Sequence, residues 1–258
     1  MRNPLNIPEV TVETETVRIV REAADMSLKI GFPVRLIGRP GTGKTCAMWH
    51  VAQEMEDIYC EVTAGCKNVK GMYEMLLRAI DCPSGRNHVS DIADLVFLKY
   101  SPDTVLFRGE WVEKRYRVFV DEIQTMEAPA LRELLRVQER CQIGLILAGN
   151  EERLAGGTKD TATLEQIESR ILPPRRLPGP SKQDCELIGT SFGVEEMPAY
   201  KALAEFGMST NFRALVQMLT VAKHLTAGTT GIRLQHIEAA MRFMGKPELL
   251  KHMRKEVA

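Results

Sequence analysis

The stretch Gly38-Arg-Pro-Gly-Thr-Gly-Lys44-Thr45 decides the fold: it fits the pattern G-x-x-x-x-G-K-[ST]. In front of it, Val34-Arg-Leu-Ile37 is a mostly aliphatic run of strand length. Behind it, Ala47, Met48, Val51 and Met55 recur at the spacing of one helix face. Strand, glycine loop and helix is the context this pattern needs. Glycines let a backbone wrap around phosphates without Cβ clashes. Successive N–H groups and the helix N-terminus then face the anion. Gly38, Arg39, Pro40, Gly41, Thr42, Gly43, Lys44, Thr45 and Cys46 are therefore expected to line a nucleotide, with Lys44 on the β- and γ-phosphates and the Thr45 hydroxyl on Mg²⁺. A glycine-rich turn could match by chance, but the flanking elements argue against it.

Outward from this loop, Val118-Phe-Val-Asp121-Glu122 is an apolar strand that delivers carboxylates at its C-terminal end, where open α/β sheets bind ligands. Asp121 is expected to hold Mg²⁺ through water, and Glu122 to polarise the attacking water. By themselves two acids after a strand also suit a helix N-terminus. Behind a P-loop, with their strand expected to neighbour that of the loop, they read as chemistry. Ile143-Gly-Leu-Ile-Leu-Ala-Gly-Asn150 is a further buried strand with a polar end. Asn150 is either a turn asparagine after Gly149 or a group aimed at the γ-phosphate or the lytic water.

Between these motifs the pattern alternates. Val17, Val20, Ala24 and Leu28 form a stripe within a helical stretch over 9–30. Ile58–Val62 reads as a strand, Lys70–Ile80 and a segment beginning at Ser90 as helices, and Ala128–Cys141 as another helix, while 102–115 is either a hairpin or an irregular insertion. Continuous apolar strands alternating with helices indicate a parallel sheet covered on both faces. Past Ile171, four prolines (Pro173, Pro174, Pro178, Pro180) mark a linker. Only helical patterns follow: a capped start at Ser181 with Asp184, then Glu195–Phe206 stopping at Gly207, Asn211–Leu225 and Leu234–Met244. The expected organisation is an α/β nucleotide-binding domain over 1–172, a linker over 173–180 and a small helical lid over 181–258.

Composition narrows the classes. Lysine plus arginine equals aspartate plus glutamate, 34 against 34, so the chain as a whole lacks the basic excess of many nucleic-acid binders. Residues 210–258 nevertheless hold eight basic and three acidic side chains, which suits a solvated helical face or a DNA-facing surface. The six scattered cysteines and five histidines show no ligand spacing, so no metal beyond Mg²⁺ is expected. No apolar run approaches the roughly 18 residues of a membrane span, and the N-terminus lacks the apolar core of a signal peptide. A cytoplasmic protein is expected. The absence of N-K-x-D argues against a GTPase, and no acceptor pocket is recognisable for a small-molecule kinase.

Two arginines complete the set: Arg170 in Ile167-Glu-Ser-Arg-Ile171, and Arg213 in Thr210-Asn-Phe-Arg-Ala-Leu215. The order P-loop, Val-Asp-Glu strand, Asn-ended strand, Arg170 and then Arg213 in a helical lid resembles the AAA+ superfamily. That resemblance implies a three-layer P-loop fold with a helical lid. It assigns Walker A to Lys44 and Thr45, Walker B to Asp121 and Glu122, sensor 1 to Asn150, a trans arginine finger to Arg170 (with Arg175 and Arg176 as alternatives) and sensor 2 to Arg213.

Val12-Glu-Thr-Glu-Thr-Val17-Arg and Leu147-Ala-Gly-Asn-Glu-Glu152 are similar to sequences in the phage Mu B-type transposition ATPases. This implies an ATP-dependent protein of a bacterium or phage-infected cell that oligomerises, as a ring or a helical filament, on double-stranded DNA without sequence preference, selects the target and activates a transposase. Mu-type proteins carry an extra N-terminal DNA-binding domain for which this sequence has no room, so DNA contacts are expected on the ATPase core. Lys67 and Lys70 after the second strand, Arg86, and the row Arg132, Arg136 and Arg140 are the candidates, against the plain alternative of solvated charge. A helicase loader, a partition or secretion ATPase, or a nucleotide switch with little hydrolysis are the competing functions.

Overall fold

The computed structural model describes residues 12–107, 110–150, 154, 161–226 and 231–245. Glu151 and Glu152, the stretch before Val12 and the basic C-terminal end lie outside the described residues. Two compact units result. The first comprises Ile19–Arg39 and Lys44–Leu177; the second includes 12–18, Pro40–Gly43 and the chain from Pro178 onward.

Helix α1 (Glu15–Ile30) belongs to the first unit from Ile19 onward, buries Val20 and Ala24 there and leads into β1 (Val34–Ile37). There follow α2 (Lys44–Glu54), β2 (Ile58–Glu61), α3 (Val69–Ala79), α4 (Val89–Tyr100), and the antiparallel pair β3 (Asp103–Phe107) and β4 (Glu110–Lys114). The ambiguous segment is thus a hairpin. Next come β5 (Arg117–Asp121), α5 (Ala128–Cys141), β6 (Gly144–Gly149), α6 (Thr161–Glu168) and β7 (Arg175–Arg176).

Among the described residues the main sheet has the order β2-β5-β6-β1-β7, with every pairing parallel. Its central strands β1, β5 and β6 are buried on both faces, as their mostly apolar runs require, while the edge strand β7 is exposed. Val118, Val120, Leu145 and Leu147 pack with Leu76, Ile92, Leu131 and Leu134 of α3, α4 and α5. Phe119 and Ile146, at the alternate positions, are fully buried towards the opposite face. On the periphery, the buried Asp57 carboxylate accepts Arg117 Nη1 at 2.8 Å and the Arg117 backbone N–H at 3.0 Å. Desolvation nonetheless pushes its pKa up, so burial outweighs the pairing there.

Two expectations need correction. β5 does not neighbour β1: β6 pairs with both and lies between them. The proline-marked segment is also not all linker, since Arg175 and Arg176 pair with Leu36 and Ile37 as an edge strand.

The second unit holds α7 (Lys182–Phe192), α8 (Met197–Ser209), α9 (Phe212–Leu225) and α10 (Leu234–Phe243) around Leu203, Phe206, Leu215, Met218, Ile237 and Met241. Ser181 and Asp184 form the expected capping box, and Asp184 Oδ1 also accepts the Glu15 backbone N–H at 2.9 Å. Gly207 does not stop its helix: α8 continues to Ser209. The glycine is there for contact. A Cβ at 207 would collide with Cys185 Sγ and touch both Leu215 methyl carbons at 3.4 Å. Gly207→Ala is therefore expected to destabilise the chain. Overpacking of about 1–3 kcal/mol exceeds the roughly 1 kcal/mol of helix propensity gained. Thermal denaturation checks this, and on a Cys185→Gly background the loss should shrink.

Candidate nucleotide site

The C-terminal ends of parallel strands bring the site together. β1 runs into the glycine loop, and Lys44 and Thr45 open α2. The loop takes left-handed backbone at Gly41 (φ 84°) and Gly43 (φ 80°), where a side chain would be strained. Lys44 Nζ donates to the carbonyls of Gly38, at 2.6 Å, and Arg39, at 3.2 Å, so the ammonium stays over its own loop.

Although β6 separates the two strands, α2 crosses to contact β2 and β5. The Thr45 hydroxyl thereby donates to Asp121 Oδ2 at 2.6 Å. Asp121 is almost wholly buried, and its other contacts fix it. Tyr59 OH, from β2, donates to Oδ2 at 3.3 Å, and the Glu122 N–H donates to Oδ1 at 2.8 Å. Tyr59 is itself held edge-on against Trp49 of α2, with ring centroids 5.4 Å apart. Burial first, then the Asp121 charge, raises the phenol pKa far above its usual range, so Tyr59 stays a donor.

Glu122 leaves the strand in a left-handed conformation (φ 55°, ψ 37°) uncommon for a residue with a side chain. Gln124, in the 3₁₀ turn Ile123–Thr125, donates its Nε2 to Glu122 Oε2 and accepts the Asn150 backbone N–H on Oε1 at 3.2 Å. Glu61 is in register with Asp121 across β2 and β5. Desolvation, followed by the charges of Asp121 and Glu122, pushes its carboxyl up, as expected where negative charge collects. Among the described residues, no group of three or more His, Cys, Asp or Glu side chains could hold a metal ion.

Tyr59 and Gln124 escaped the sequence reading. Neither is marked by its neighbours in sequence: Tyr59 reads as one more residue of a strand, and Gln124 as an amide in the run Ile123-Gln-Thr-Met126. Cys46, last of the candidate loop residues, is exposed in the first turn of α2.

The remaining candidates are more scattered. Arg170, after α6, lies 3.4 Å from Glu139. Arg175 pairs with Glu22 at 2.7 Å, and Arg176 is exposed beside it on β7. Within the second unit, the Asn211 side chain caps α9 by accepting the Ala214 N–H at 2.9 Å. The Arg213 N–H donates to the Gly41 carbonyl at 3.3 Å, and the Arg213 side chain is exposed.

Lys67 and Lys70 follow β2, at the same sheet end as Asp121; they pair with Glu127 at 3.4 Å and Glu74 at 3.8 Å. Arg86 donates to the Asp91 carbonyl at 3.0 Å. The arginine row on α5 is engaged locally: Arg140 lies 4.1 Å over the Phe97 ring, and Arg136 pairs with Glu133 at 3.4 Å. Arg132 and Arg136 also line a shallow groove with Val69, Tyr73 and Ala93.

The chain matches the AAA domain family over residues 33–155. The Aeropyrum pernix ORC2 protein, solved as ADPNP–ADP complexes, shares its fold (TM-score 0.62, 17% identity, 93% of this chain and 70% of that one). So does the ORC1 protein of the same organism, solved in complex with DNA (TM-score 0.57, 16% identity, 94% and 68%). The parallel sheet, its order and these likenesses thus define an AAA+-type P-loop fold, with the AAA domain match confined to residues 33–155. Within that class the chain resembles the phage Mu B-type proteins. It is 23% identical over 191 residues to the Mu-like prophage FluMu DNA transposition protein B of Haemophilus influenzae. The alignment covers 71% of this chain and 62% of that protein, so the chain spans less than two thirds of this relative's length.

Proposed function

We propose that this chain is an ATPase that assembles on double-stranded DNA in its ATP-bound form, selects a transposition target and activates a transposase. The meeting of the Thr45 hydroxyl with the buried Asp121 carboxylate, with Glu122 next in the chain, carries the catalytic half of this reading. The likeness to a DNA transposition protein B supports the biological half.

The site suits magnesium nucleotide. Thr45 and Asp121 offer hard oxygen donors 2.6 Å apart, and the positive-φ glycines turn backbone N–H groups toward an anion. Bound there, magnesium would supply neutralisation of phosphate charge. Lys44 exchanges its loop carbonyls for phosphate oxygens. Thr45 and Asp121 would hold the metal, the latter fixed by Tyr59 and the Glu122 N–H. Glu122 orients the attacking water and draws its proton. Asn150 hydrogen-bonds the γ-phosphate or that water. Arg213 acts from the lid on the bound nucleotide, and Arg170, with Arg175 and Arg176 as alternatives, serves a neighbouring subunit's site.

Lys67 and Lys70 are the favoured DNA contacts, since their loop leaves the same sheet end as the catalytic acids. Arg86, Arg132, Arg136 and Arg140 are secondary candidates, carried by other segments than that loop. One such loop per subunit, repeated along a polymer, lets a neutral chain grip phosphates without reading sequence.

Negative-stain microscopy of the chain with ATP, with and without duplex DNA, tests this. Filaments or rings on duplex of arbitrary sequence are expected, weakening steeply with salt. A chain that stays monomeric with both ATP and DNA present would overturn the assembly reading.

A further inference from the structure

Gln124 joins two parts of the site that come from different strands. Its Nε2 donates to the Glu122 carboxylate beyond β5, and its Oε1 accepts the Asn150 N–H at 3.2 Å beyond β6. The partners dictate the orientation of the amide. A backbone N–H can only donate and an ionised carboxylate can only accept, so oxygen must face Asn150 and nitrogen must face Glu122. Gly149 leaves space for this arrangement: a Cβ there would lie 2.6 Å from Gln124 Oε1 and 2.9 Å from Ile123 Cγ2.

We propose that Gln124 is a positioning residue that holds the Glu122 carboxylate at its working angle and ties that angle to the end of β6. The inference rests on Glu122 acting on the lytic water. The backbone of Glu122 is left-handed and does not itself continue the strand direction. Its side chain therefore needs a second fixed point, which the amide provides. Any shift of the Asn150 backbone, as when its side chain engages an oxyanion, passes through one rigid amide to Glu122. The carboxylate then comes into place in step with the end of β6.

The test uses the full chain, with steady-state ATP turnover in the presence of duplex DNA and affinity for a fluorescent ATP analogue. Gln124→Met keeps the length of the side chain and removes both hydrogen bonds. It should lower kcat on the order of 10²-fold, the scale of a roughly 1 Å misplacement, with KM and affinity within about twofold. Gly149→Ala displaces the amide from the other side and should lower kcat similarly. On a Gln124→Ala background only the contact with Ile123 Cγ2 remains, so Gly149→Ala should add much less than it does alone.

Turnover that is lost in Glu122→Gln but kept in a folded Gln124→Met overturns this inference alone. If Gln124→Met does not fold, Gly149→Ala decides, and unchanged kcat there overturns the inference as well. Absence of turnover in the wild-type chain overturns the reading of Glu122, and this inference with it.

Discussion

Glu122→Gln is expected to lower ATP turnover about 10²–10⁴-fold, the range of a lost general base, while nucleotide affinity is retained. The substitution is nearly isosteric. A glutamine at 122 can present its carbonyl to Gln124 Nε2 as the carboxylate does now, so the contact that anchors the side chain survives. The Glu122 N–H bond to Asp121 Oδ1 belongs to the backbone and is untouched. What disappears is the capacity to take a proton from water. On the proposed reading the ATP-bound assembly should then persist on DNA, because hydrolysis is what releases it. Turnover assays alongside sedimentation on duplex DNA check both halves. A variant that still hydrolyses ATP at the wild-type rate would remove Glu122 from the mechanism.

Lys44→Ala is expected to weaken the binding of magnesium nucleotide by about 10- to 10²-fold, the equivalent of one charged hydrogen bond at roughly 1.5–3 kcal/mol. In the free chain the ammonium is held by the Gly38 and Arg39 carbonyls. Arg39 is exposed and its carbonyl can turn to water, whereas Gly38 is buried and loses a partner, so stability should fall by about 1–3 kcal/mol. Titration with a fluorescent analogue gives the affinity, and thermal melting without ligand gives the stability. Affinity unchanged in a folded variant would refute the assignment of Gly38–Thr45 as the phosphate cradle.

Local patterns made the loop, the Asp121–Glu122 strand end and the Asn150 strand end legible, because glycine chemistry, strand hydrophobicity and helix periodicity all act within a few residues. Non-local pairing was not legible. Nothing in Val34–Ile37 or Arg117–Asp121 announces that β6 will separate them, and only the path of α2 over β5 explains how Thr45 still meets Asp121. Gly207 was read as a helix end because glycine often follows one; its reason for being there is Cys185, 22 positions away in sequence. The prolines around Arg175 and Arg176 read as punctuation. The extended backbone that proline favours in its neighbours equally suits an edge strand, and only the pairing with β1 distinguishes the two. Tyr59 and Gln124 acquire their roles through contacts across strands, so their own neighbourhoods in the sequence give little away.

The left-handed backbone at position 122 has an evolutionary corollary. Glycine adopts such a conformation freely, and asparagine more readily than glutamate. Selection for fold robustness alone would therefore drift this site away from an acid. Loss-of-function changes at 122 should accumulate as abundant, soluble protein, invisible to any screen that scores expression and detectable only by one that scores turnover.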